Sequence, residues 1–202
     1  SAEDGINWST PTASSQRDPF VFRDLFYMSV PVFYDGHYFS IAKRGGSTVL
    51  CRGASLLGPW EQGQVLNEGT RHVRHGDIHI RGNHLYVFFT VIGDSPERIV
   101  LGDIDMSYAL DWKDWKLRLG PILFEPEYYH EHGSAELKMS EMGPAKGILR
   151  QLRDPHFLSD KESPKDYLNG LLFYTAQGEQ GIAIARISLC TSKYQNAVKT
   201  ET

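Results

Sequence analysis

Along most of the chain, apolar, aromatic and β-branched side chains gather in short runs bounded by turn residues such as Gly, Pro, Asn and Asp. Such runs are the signature of strands rather than helices. Three segments, "PVFYDGHYFSIA", "DIHIRGNHLYVFFT" and "PHFLSDKESPKDYLNGLLFYTA", each read as a strand, a Gly-containing turn and a second strand. The turns fall at Asp35-Gly36, Gly82-Asn83 and Asn169-Gly170, residue pairs that tolerate positive φ. A third strand follows each: "STVLCRG", "RIVLGDID" and "GIAIARI". In the first two units a Trp-bearing segment comes next, "SLLGPWEQGQVL" and "DWKDWKLRLGPIL", whereas the third runs into the polar "TSKYQNAVKTET". Helical periodicity is poor; its best stretch, residues 135–150, is broken by Gly143, Pro144 and Gly147.

The units repeat, and so does their opening. Arg17-Asp18-Pro19 and Arg153-Asp154-Pro155 each precede an apolar run, and Gly76-Asp77 opens the unit between them. Repetition of antiparallel three- or four-stranded units predicts an all-β chain built as a β-propeller. Three to four units are visible, with residues 17–29 as a shortened first and 30–66 as the second, so the propeller is expected to be incomplete. The predicted domain covers residues 17–190, flanked by polar segments at 1–16 and 191–202.

Bulk properties narrow the function classes. A formal charge of −4 gives no electrostatic reason for a nucleic-acid or anionic-membrane partner. No apolar run is long enough for a spanning helix. The N-terminal "SAEDGINWSTPTASSQ" is too polar for a signal peptide, which leaves the compartment open. Cys51 and Cys190 lie in apolar runs and lack ligand spacing, so each reads as a buried thiol, with a bridge between them as the alternative.

Three aspartates at equivalent places, Asp18, Asp77 and Asp154, carry the first chemical expectation. On the innermost strands of a propeller they would converge on one funnel, where neighbouring carboxylates split acid from base roles, as hydrolysis of a glycosidic bond requires. The competing reading is a plain turn-forming aspartate. Arg17 and Arg153, beside two of them, are candidate substrate-binding residues. Glu97, in "GDSPERIV", and Glu179, in "QGEQG", occupy matching hairpins and are candidate acids, with Arg98 a candidate substrate ligand. Four histidines crowd "RHVRHGDIHIRGNH", and His75 is the one placed to bond a sugar hydroxyl; without HExxH or another recognised spacing, no metal is expected. "YYHEHG" at 128–133 is a further polar, aromatic patch. Serine-nucleophile and phosphate-binding motifs are absent, and no cofactor is expected.

"RDPFVF", "LLGPWE", "GDIHIRGNHLYVFFT", "SPERIVLGDID…DWKDW" and "QLRDPHFL…LLFYTAQGEQGIAIA" together resemble the five-bladed propeller glycoside hydrolases. That group takes in arabinanases, xylosidases, invertase-like enzymes and uncharacterised bacterial relatives. The resemblance spans nearly all of residues 16–188. It implies a glycosidase with a carbohydrate substrate, with Asp18 and Asp77 as blade-opening aspartates, Asp154 as a contact to sugar hydroxyls, and a Glu as acid. The chain is shorter than five blades need, so the alternatives are a non-catalytic carbohydrate-binding or degenerate propeller, and a propeller scaffold for protein partners.

Overall fold

The structure, a computed structural model, describes residues 25, 28–68, 71–74 and 76–191. Its strands form three antiparallel sheets in which consecutive strands are neighbours. The first contains β1 (Val32–Tyr34), β2 (His37–Arg44), β3 (Ser47–Gly53), β4 (Trp60–Glu68) and β5 (Arg71–His72). The second contains β6 (Asp77–Arg81), β7 (His84–Phe89), β8 (Ile99–Asp105) and β9 (Leu117–Phe124). The third contains β10 (Arg153–Ser159), β11 (Tyr167–Ala176) and β12 (Gly181–Cys190). A 3₁₀ turn (Trp112–Asp114) and one helical turn, α1 (Tyr129–His132), interrupt them.

The middle sheet explains why the sequence is so apolar around residue 85. A strand sends alternate side chains to opposite faces. In β7, Leu85, Val87 and Phe89 join Phe39, Ile41, Leu50, Trp112 and Trp115 in a core shared with the first sheet. Tyr86 and Phe88 point the other way, into a second core with Phe157, Leu172 and Tyr174 of the third sheet. Both faces are therefore dry, and burying each large side chain is worth about 1.5–3 kcal/mol. Aromatic pairs lock the layers: Phe39 stacks on Trp115 at 5.2 Å, and Phe88 on Phe157 at 4.8 Å.

An all-β, antiparallel chain is what the structure has. The propeller is not: the three sheets pack in chain order as an open stack, and no described strand closes them into a ring. The alternation that marks a strand as half-buried is the same for a stack and for a ring, which is why the repeat alone misled.

A second correction concerns Asn169-Gly170. These residues lie inside β11, paired with Ser188 and Ile187, and the chain reverses earlier, before Tyr167. Gly170 serves close approach instead: a Cβ there would stand 2.2 Å from the Leu158 carbonyl oxygen and 2.8 Å from the Phe157 ring. The 135–150 stretch forms no helix. Cys51 is a buried thiol that is not bridged to Cys190, and burial pushes its pKa up to about 12. The flanking segment 1–16, the shortened unit at 17–24 and the tail from 192 lie outside the described residues.

Candidate active site

Two polar centres flank the start of β10, and the backbone there explains how one strand serves both. Arg153 pairs with Thr175 of β11, yet the next register pair is His156 with Phe173. One extra residue is thus accommodated in β10, a bulge. Asp154 takes a left-handed φ of 49° within it, a conformation Asp tolerates better than most residues. Pro155, which has no N–H to donate, suits a position outside the ladder. The bulge turns Arg153 inward and brings Asp154 and His156 to an open cleft.

That cleft encloses about 290 Å³ and is lined by residues 28–30, by Gly76 and Asp77 at the start of β6, and by Asp154, Pro155 and His156. Gly76 is demanded by space, since a Cβ on it would lie 2.0 Å from the Phe88 carbonyl oxygen. Only glycine lets the chain enter β6 so close to β7, and that approach places Asp77 against β10. Asp77 is 3% exposed. Its Oδ2 accepts the Phe157 N–H at 2.9 Å and lies 2.9 Å from His156 Nδ1. Burial pushes its pKa up, while the Phe157 N–H and the neighbouring imidazole pull against that rise. The His156 side chain is half exposed. Asp154 Oδ2 accepts the Thr175 hydroxyl at 3.2 Å.

The second centre is a buried ion cluster. Glu97, with no exposed surface, accepts Arg74 Nε on Oε1 at 2.6 Å and the Thr90 hydroxyl on the same oxygen at 2.6 Å; its Oε2 lies 2.8 Å from Arg153 Nε. Arg153 Nη1 also reaches Glu179 at 2.7 Å, and its Nη2 donates to Gln151 at 2.6 Å. Unpaired, such buried charges would cost several kcal/mol each. Here they join the ends of strands from the second and third sheets.

The residues singled out in the sequence therefore divide. Asp77 and Asp154 line one cleft. Glu97, Glu179 and Arg153 meet in the ion cluster. There Glu97 has both oxygens taken by buried donors and reaches no solvent, so it is not placed as a proton donor to a ligand in the cleft. Arg98 is engaged by Asp94 at 3.1 Å and Glu125 at 2.8 Å. Asp18, Arg17 and His75 lie outside the described residues. His79 packs edge-on against Phe157, with burial lowering its pKa, and His84 bonds Asp103 at 2.7 Å. Among the described residues no three His, Cys, Asp or Glu side chains gather as a metal-ligand set. In "YYHEHG", Glu131 is buried and accepts the Tyr174 hydroxyl at 2.7 Å, which makes that patch a structural cap on β11.

Sequence reasoning missed His156. In "RDPHFL" it reads as a polar strand position, and nothing local tells that its partner is an aspartate far upstream. The available signal was the alignment of the two aspartates: if Asp77 and Asp154 open neighbouring strands, a histidine two residues after one of them belongs near the other.

No family model matches the chain. With the open stack of sheets, this overturns the resemblance to the five-bladed propeller glycoside hydrolases. The chain is similar to uncharacterized protein R118 of Acanthamoeba polyphaga mimivirus, with 35% identity over 119 residues, covering 58% of this chain and 31% of that protein. It thus spans less than a third of the length of the curated relative it matches. Among solved structures, an N-acetylgalactosamine deacetylase from F. plautii, crystallised with blood group B trisaccharide, aligns at a TM-score of 0.47 and 11% identity. The alignment covers 98% of this chain and 61% of that one. A likeness of that strength carries neither fold nor activity across.

Proposed function

We propose that the Asp77–Asp154–His156 cleft binds a carbohydrate and hydrolyses a glycosidic bond in it by acid–base catalysis. One observation carries this reading: two carboxylates and an imidazole from separate sheets line one open cleft. Carboxylates accept paired hydroxyls, and the imidazole supplies a nitrogen able to take up and give back a proton. In this scheme Asp77 Oδ2 accepts His156 Nδ1–H and so fixes the tautomer. Nε2 of the half-exposed ring then takes a proton from water, and Asp154 holds a sugar hydroxyl. The water oxygen bonds to the anomeric carbon as the glycosidic C–O bond breaks, the departing oxygen takes its proton from solvent water, and the charged ring returns its proton to solvent afterwards.

Asp77 is so deeply enclosed that a second reading also has support. The cleft would bind sugar without turnover, Asp77 serving only to orient His156.

Glycan-array binding combined with a panel of chromogenic glycosides separates the two. The hydrolytic reading expects product release that His156→Ala lowers by about 10²–10⁴-fold, with melting unchanged. Binding with no product favours the second reading. No binding to any glycan, or hydrolysis indifferent to both His156→Ala and Asp154→Asn, sinks both.

A further inference from the structure

On the other side of Arg153 from the cleft lies a larger concavity of about 400 Å³, formed between the 138–149 segment and the start of β10. Pockets of that size suit small organic molecules. Its lining joins two kinds of surface. One is cationic: Lys138 and Lys146 face a single carboxylate, Glu141, and neither ammonium has an ion-pair partner among the described residues. Arg153 adds no spare charge, because Glu97 and Glu179 already neutralise it. The other surface is apolar, made by Met139, Met142 and Leu149. Both methionines are more than half exposed. Flexible thioethers held open to solvent are costly to leave bare and adapt readily to a ligand's shape. Behind them Gln151, fully buried, gives the floor a polar strip through its bond to Arg153.

We propose that this pocket is a binding site for a small organic acid, whose carboxylate sits between Lys138 and Lys146 and whose apolar body rests on Met139, Met142 and Leu149. Unpaired ammoniums alone would take any anion; the apolar wall selects one with a hydrophobic body. The site stands apart from the carbohydrate cleft and does not rest on it.

Titration of the full chain, carrying ¹³C-labelled methionine methyls, with benzoate, benzamide and inorganic phosphate tests this by NMR. Benzoate is expected to shift the Met139 and Met142 methyls saturably, and benzamide, its neutral isostere, to bind at least about tenfold more weakly. The Lys138→Gln/Lys146→Gln variant should lose benzoate affinity by at least about tenfold with melting unchanged. Asp77→Asn should leave the titration as it is. Methyls that do not move, equal binding of benzoate and benzamide, or phosphate binding as tightly as benzoate would each overturn the proposal. Should the double variant melt early, the benzoate–benzamide comparison on the unaltered protein still decides.

Discussion

Arg153 and Asp154 are adjacent in sequence and belong to opposite kinds of polar centre. Arg153 is buried in a cluster where the charges around Glu97 are matched by close, short contacts. Asp154 sits one peptide further on, in a bulge, at the edge of an open cleft with a half-exposed histidine. The first arrangement matches each charge with a close neighbour of opposite sign. The second keeps polar groups partly uncovered; a left-handed φ is common to both centres, at Asp154 in the cleft and at Glu179 in the cluster. The ion cluster thus fixes the start of β10 through Glu97 and Glu179, while one residue further on the side chains are left open to the cleft.

The sharpest way to break this division is Glu97→Gln. It leaves Arg74 and Arg153 buried without their shared counter-charge, and removing one partner of a buried pair costs about 3–5 kcal/mol. Urea denaturation should show a loss of that order. A change under about 1 kcal/mol, within the range of surface ion pairs, would mean that the cluster is wetter and less important than its geometry indicates.

Asp154 separates backbone from side chain on the other centre. Asp154→Ala places a Cβ-bearing residue without the local polar contacts of Asp at φ 49° and deletes the Thr175 bond. It should cost about 1–2 kcal/mol. Asp154→Gly deletes the same bond but accepts the left-handed conformation freely, and should be about 1 kcal/mol more stable than Asp154→Ala. Both should lose the cleft's ligand. If Ala and Gly are equally stable, the bulge is not strained.

What could be read in the sequence follows from range. β7 was legible because an unbroken apolar and aromatic run after a Gly-Asn turn marks a strand by itself, and Gly36 marks a true hairpin turn between β1 and β2. Gly170 was misread because a glycine demanded by a passing carbonyl oxygen looks the same, in one dimension, as a glycine demanded by a turn. Ring closure was misread because it depends on how sheets pack, not on how any strand alternates. In the site, Asp77 and Asp154 stood out as repeated strand openers. His156 and the fate of Glu97 did not, since both are decided by partners far away in the chain: Asp77 for one, Arg74 and Arg153 for the other.

The smallest expected effect is the most specific to the cleft. Burial raises the Asp77 pKa, so the native chain holds that proton more tightly than the unfolded one. Its contribution to stability is complete below the ordinary aspartate value of about 3.9 and is lost as pH rises through the raised native value. Asn cannot titrate. The melting temperature of Asp77→Asn should therefore gain on the parent chain as pH climbs through that window and hold level above it. The His156 imidazole opposes the shift, so on the His156→Ala background the Asp77 carboxyl should titrate higher still and the same substitution should show a wider gain. A melting difference independent of pH would mean that Asp77 ionises as it does in the unfolded chain, and the cleft would then be as ordinary, electrostatically, as the open surface beside it.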